Sequence, residues 1–215
     1  MKLDLKKELP LFILALTPIL YLMYVWNILP EQVPTHYNFS GEADRFSGKT
    51  GFAILISSMT FFTYGLMLVL PYIDPKKQIA NMGKKFYQVK FIMLGLMVSL
   101  CWFIIYKTIH QDANIQFMMV IIGGFLFALG NYFQTIKQNY FLGVRTPWAL
   151  NNEENWRNTH KVSGKVWMIG GLALVVSYFV FPLKLSININ LAIIAILAIV
   201  PVAYSFYHFR YKEND

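Results

Sequence analysis

Residues 9–29 read LPLFILALTPILYLMYVWNIL, a run without a single charged side chain. An α-helix needs roughly 20 apolar residues to cross about 30 Å of hydrocarbon, so a run of this length reads as a membrane span. Lys2, Lys6 and Lys7 precede it as they would precede a secretory signal. Its length and the absence of a small-residue cleavage pattern mark it instead as a retained first span. Working outward, the same pattern recurs at Gly51 to Tyr72, Phe91 to Tyr106, Gln116 to Ile136, Val166 to Leu183 and Ile187 to Tyr207. The last two are separated only by a tight turn near Lys184 to Ser186, which predicts an antiparallel helical hairpin. The expected fold is therefore an all-α membrane protein, a bundle of six transmembrane helices.

Composition agrees. Of the 215 residues, 56% are apolar and 14% charged, too greasy and charge-poor for an ordinary soluble domain. The net charge of +8 does not read as a nucleic-acid surface, because Lys and Arg sit in short collars between apolar runs rather than on one folded face. Sorted by loop, 15 of the 19 cations fall in the amino-terminal tail, the second loop, the fourth loop and the carboxyl-terminal tail. The remaining four are Arg45, Lys49, Lys107 and Lys184. The positive-inside rule then predicts both termini in the cytoplasm. Cys101 is the only cysteine and lies in an apolar run, which excludes an intrachain disulfide and a cysteine-based zinc site.

Within the spans the polar residues are mild, such as Thr17, Ser57, Thr60, Ser99, Asn131 and Ser177, and no Asp, Glu, Lys, Arg or His falls mid-span. Ion paths and proton relays normally advertise themselves by such residues, so pump-like functions are disfavoured. Pro18 and Pro201 interrupt the first and last spans. Gly123, Gly124, Ala128 and Gly130 in the fourth span, with Gly170, Gly171 and Ala173 in the fifth, predict close helix packing.

Two expected domains follow. Residues 1–90 hold the first two spans, a structured outer loop at 30–50 and a basic cytoplasmic loop at 73–90. Residues 91–215 hold four spans and an inner loop at 137–165. In the outer loop Pro34 biases Val33 to an extended conformation, Thr35 to Phe39 alternates like a short strand, and Ser40-Gly41 is a turn signal. His36 and Asn38 would share one face, within reach of Glu42 and Asp44 beyond the turn. Such a His is either a hydrogen-bonded structural residue or a ligand and pH-sensing group; one His with scattered acids is no metal signature.

In the inner loop Pro147 stops Thr146 from continuing a helix, while Asn151 or Asn152 can cap a new one whose first turn holds Glu153 and Glu154. Trp156, His160, Gly164 and Trp167 then fall near one helical face. Arg145 can staple the loop or clamp Glu153 or Glu154. Trp148 and Trp156 suit either interfacial anchors or a recognition platform.

The string Gly143-Val144-Arg145-Thr146-Pro147-Trp148-Ala149-Leu150, followed by Trp156, His160 and Gly164, resembles the signature of the SdpI family. Leu29-Pro30, Val33-Pro34, His36, Gly41, Asp44 and Lys49 resemble the small domain often found before it. One departure is Ala149, where the motif commonly carries a small hydroxyl residue. The resemblance implies a multi-pass bacterial cell-membrane protein that confers immunity to a secreted hydrophobic peptide toxin and captures a cytoplasmic transcriptional repressor. It implies no enzyme activity, cofactor, metal or direct nucleic-acid contact. The expected partner-binding residues are Arg145, Thr146, Pro147, Trp148, Glu153, Trp156, His160 and Gly164 inside, with Pro34, His36, Asn38, Gly41, Asp44 and Lys49 outside. Rival readings are a small transporter or exporter of an amphipathic peptide or solute, and a general envelope-stress protein. A membrane enzyme is disfavoured, because neither loop offers a nucleophile or metal-ligand spacing.

Overall fold

The computed structural model describes residues 4–38 and 42–212. Gly41, expected in the outer recognition segment, lies outside the described residues, as do Phe39 and Ser40. Among the described residues the regular structure is helical apart from one hairpin. The helices are α1 (Leu5–Tyr24), α2 (Lys49–Ile73), α3 (Lys84–Ile109), α4 (Phe117–Phe133), α5 (Pro147–Asn151), α6 (Glu153–Val180) and α7 (Leu183–Lys212). Strands β1 (Gln32–Tyr37) and β2 (Ala43–Gly48) pair antiparallel between α1 and α2.

Among the described residues five helices are long and apolar enough to cross a membrane, and α4 is a shorter apolar helix of 17 residues. Many of their large side chains face outward: Phe62, Ile169 and Phe179 are each about 70% exposed. Apolar surface of that extent is stable only against lipid or a partner.

Element boundaries depart from the sequence expectation in four places. The first span was expected to reach Leu29, but α1 ends at Tyr24 and a short 3₁₀ turn covers Trp26–Ile28. Pro30 holds Leu29 extended at φ −67° and ψ 141°, so the helix has to finish before it. The basic loop expected at 73–90 is helical from Lys84 onward, since a span needs all its backbone groups bonded and Lys tolerates a helix well.

The inner loop expected at 137–165 is likewise helical from Glu153, and its capped segment runs unbroken into the span. The turn expected at Lys184 to Ser186 lies instead at Phe181 and Pro182. Pro182 forces Phe181 to an extended conformation (φ −110°, ψ 143°), and its carbonyl already accepts from the Leu185 and Ser186 amides in the first turn of α7. Pro18 and Pro201 are absorbed, buried, inside continuous helices.

Helices α1, α2 and α3 pack on one another, α6 packs on both α4 and α7, and the two groups meet where α3 touches α4. The α4–α6 seam is the tightest. A Cβ on Gly123 would sit 2.5 Å from the Gly171 carbonyl oxygen, and one on Gly171 would sit 2.5 Å from that of Gly123. One turn pair further along, Gly130 and Gly164 are related in the same way at 2.6 and 2.5 Å. Only a residue without a side chain lets two backbones approach so closely, which is the means by which membrane helices associate without a hydrophobic driving force. Gly124 faces open space and Gly170 faces Leu197 of α7, so the glycines of these spans have different roles.

At the amino-terminal ends of α1 and α3 the sequence hid a feature. Glu8 and Lys90 lie just outside the expected spans, yet the longer helices carry both into the protein, where they form an ion pair at 2.6 Å with side-chain exposures of 11% and 5%. The hydroxyl of Tyr64 on α2 donates to the other carboxylate oxygen at 3.4 Å, so the pair ties three helices together.

Candidate functional site

The segment matching the motif folds into a cap over one end of the bundle. Asn139 begins it. Its fully buried side chain accepts from the amides of Phe141 and Leu142 and donates to the carbonyls of Lys137 and Leu142, so one amide group organises the whole turn. Nothing in a periodicity reading distinguishes Asn139 from its neighbours; its position after the apolar run is the sole signal.

The chain then passes Gly143, at φ +109°, a conformation L side chains rarely adopt. Next to it the Val144 amide donates to His160 Nε2 at 2.9 Å, while Nδ1 donates to the Trp156 carbonyl at 2.8 Å. A ring nitrogen that accepts from an amide carries no proton, so His160 is neutral with its proton on Nδ1. Its ring stacks on Trp156 at 4.0 Å between centroids and meets Phe133 edge-on at 5.5 Å.

Thr146 caps α5, its hydroxyl accepting from the Ala149 amide at 3.2 Å, with Pro147 in the first turn, where a missing N–H costs nothing. The same hydroxyl lies 2.6 Å from Ser205 Oγ on α7. Ser205 in turn donates to Asn155 Oδ1, so Thr146 is the donor of that pair. Asn155 Nδ2 returns a bond to the Ser205 carbonyl, and Thr159 also donates to Asn155. Thr146, Asn155, Thr159 and Ser205 are all buried, and this polar knot locks α5, α6 and α7 together. Ala149 is fully buried in the adjoining core.

Asn152 caps α6 by accepting from the Glu154 and Asn155 amides at 2.8 and 3.0 Å. Trp156, His160 and Gly164 lie buried along the same face, with Trp167 partly buried beyond. Trp156 donates from Nε1 to the Ile136 carbonyl, and Trp167 to the Leu197 carbonyl. Trp148 packs against Phe206 and Phe209 of α7. Arg145 is exposed and donates to the Tyr140 carbonyl at 2.9 Å, while Glu154 faces Arg157 at 4.0 Å. Most motif residues thus build the cap, and Arg145, Pro147, Glu153, Glu154 and Arg157 are among those it presents to solvent. Beside them opens a polar groove of about 790 Å³, lined by Gln78 and Asn81 on one side and Gln134, Lys137, Glu153 and Arg157 on the other.

At the opposite end the hairpin is anchored by Val33, fully buried against Leu29, Phe52 and Ile105. Pro34 pairs with Phe46 in the ladder, and Lys49 at the start of α2 reaches Glu31 at 3.0 Å. His36 Nδ1 lies 2.5 Å from Asp44 Oδ1, across strands distorted by two register shifts. Asn38 faces Glu42, donating from Nδ2 to the carboxylate at 3.2 Å and accepting from the Glu42 amide at 3.0 Å. Burial raises the Tyr37 phenol above its ordinary pKa. Among the described residues no three His, Cys, Asp or Glu side chains are placed to share a metal ion. Beneath the hairpin lies a cavity of about 500 Å³ between the first turns of α4 and α7.

Residues 135–205 match the SdpI/YfhL protein family, and residues 13–61 match a domain of unknown function, DUF1648. Immunity protein SdpI of Bacillus subtilis (strain 168) is 25% identical over 215 residues, covering 97% of this chain and 98% of that protein. No solved structure matches the chain. The first family region begins at the close of α4 and takes in the cap, α6 and most of α7; the second takes in the latter part of α1, the hairpin and half of α2. With its apolar helices and this similarity along nearly its whole length to an immunity protein, the chain is a multi-pass protein of the cell membrane whose residues 135–205 resemble the SdpI/YfhL family.

Proposed function

We propose that this protein is an SdpI-like immunity protein, binding a secreted antimicrobial peptide toxin at the membrane and signalling by capturing a cytoplasmic autorepressor. The observation that carries the reading is the continuity of α6. Its 28 residues run from the Asn152 cap in the motif segment to Phe181, a rise of about 42 Å, and Pro182 then turns directly into the α7 residues beside the hairpin cavity. One rigid element joins the two ends, so binding at one can bias the other. The role requires no catalysis, in keeping with a non-enzymatic family.

In this reading six helices span the bilayer. The 17 residues of α4 rise about 25 Å, at the short end of what a span needs. The cation distribution puts both termini and the cap in the cytoplasm and the hairpin outside. Residues 1–90 and 91–215 serve as the hairpin-bearing and cap-bearing parts. Arg145, Pro147, Glu153 and Arg157, with the groove beside them, form the repressor-facing surface, while Thr146, Trp148, Trp156, His160 and Gly164 hold it in shape. A transporter with a moving α4–α6 seam fits less well, because reciprocal backbone contact at two glycine pairs leaves that seam no slack.

Expression in toxin-sensitive cells tests the function. Protection is expected, and Arg145→Ala is expected to abolish membrane recruitment of the repressor while abundance in the membrane stays normal. Normal abundance without protection would show the reading to be wrong.

A further inference from the structure

The cavity under the hairpin has two chemically distinct zones. Its floor is apolar. Ile187, Leu191 and Ile194 follow one another on α7 at spacings of four and three, a single helical face, and Leu191 and Ile194 are 48% and 40% exposed. Met118 and Met119 of α4 complete the floor with flexible thioethers that adapt to irregular apolar surfaces. The buried amides at its wall, Gln116 and Asn190, are already bonded, the first to the Leu183 carbonyl and the second to Ser177 and Ser186.

The rim is polar and carries a carboxylate. Asp44 is 43% exposed and oriented by His36, and the exposed Glu42 stands two residues away on the same side of the hairpin turn. Lys49 at the start of α2 is engaged by Glu31, and the exposed Arg45 lies on β2 next to Asp44.

We propose that this cavity docks an amphipathic, cationic helical peptide. Its apolar face lies along the Ile187, Leu191 and Ile194 stripe, as helices occupy apolar grooves, and a Lys or Arg on its polar face pairs with Asp44. The proposal rests on the immunity reading and names the receptor site for it. An anionic lipid would use the floor but be repelled by the rim carboxylate, and a lipid ammonium would bring its own phosphate against Asp44, which is why the peptide is the better occupant.

The test uses the full chain in phosphatidylcholine nanodiscs, probed with a dansyl-labelled peptide of Leu and Lys at helical spacing and with Leu/Gln and Leu/Glu counterparts. Saturable binding of the Leu/Lys peptide is expected. Asp44→Asn should weaken it about fivefold and leave the Leu/Gln peptide unaffected. Filling the floor with Leu191→Trp, or separately Met119→Trp, should weaken both about tenfold or more, with thermal unfolding midpoints confirming folded protein. Binding no greater than to empty nanodiscs, equal binding by the Leu/Glu peptide, or indifference to both Trp variants would overturn the proposal. So would displacement of the Leu/Lys peptide by added acyl lipid with no effect of Asp44→Asn. If cells carrying the filled variants remain fully toxin-resistant, the site is wrong while immunity stands; if wild-type cells are unprotected, the immunity reading itself fails.

Discussion

The imidazole of His160 occupies the space that any side chain on Gly143 would need, so the turn at the mouth of α4 and the first turns of α6 fit only as a pair. The Val144 amide that binds Nε2 directly follows that glycine. Gly143→Ala is doubly unfavourable, because its Cβ meets the ring and its φ of +109° strains an L residue. A loss of about 1–3 kcal/mol is expected in detergent-micelle unfolding. Combined with His160→Ala the loss should be less than additive by at least about 0.5 kcal/mol, since the clash disappears with the ring. Strict additivity would show that the two residues do not constrain each other.

The glycine seam predicts a positional pattern of tolerance. Gly171→Ala or Gly130→Ala should each cost about 1–3 kcal/mol, because a Cβ there meets a facing backbone that cannot yield. Gly124→Ala, on the same helix but facing open space, should leave the unfolding midpoint unchanged or raise it. Equal effects at all three positions would mean that α4 and α6 are not in backbone contact.

Breaking the Glu8 to Lys90 pair should be more damaging than removing it. Glu8→Ala strands a buried ammonium and is expected to cost about 3–5 kcal/mol. The double variant Glu8→Leu with Lys90→Leu should recover most of that stability. Detergent-resistance and thermal aggregation assays on the single and double variants distinguish the two outcomes.

Topology is open to thiol labelling. Cys101 is fully buried and should be unreactive in the folded protein, so introduced cysteines can be read against it. Asp44→Cys is expected to react with an impermeant maleimide on intact cells, and Lys161→Cys only after permeabilisation. Labelling of Lys161→Cys from outside would invert the orientation and remove the cap from the cytoplasm.

The sequence alone determined that this chain lives in a membrane, since apolar runs of hydrocarbon length are a one-dimensional property and their flanking cations need no partner to be counted. It also determined local punctuation: a cap at Asn151 or Asn152, the break before Pro147 and the facing of Trp156, His160 and Gly164 follow from residues within a turn or two of one another. Only the tertiary structure decided which helix met which. It drew Glu8 and Lys90, separated by 82 positions, out of their expected collars into one buried pair, and it matched Gly123 with Gly171 and Gly130 with Gly164 while leaving Gly124 free. It also buried Thr146, Trp156 and His160, which the motif alone leaves unplaced, against α4 and α7. Close packing is a relation between distant residues, and no spacing along the chain encodes the partner that a side chain will meet.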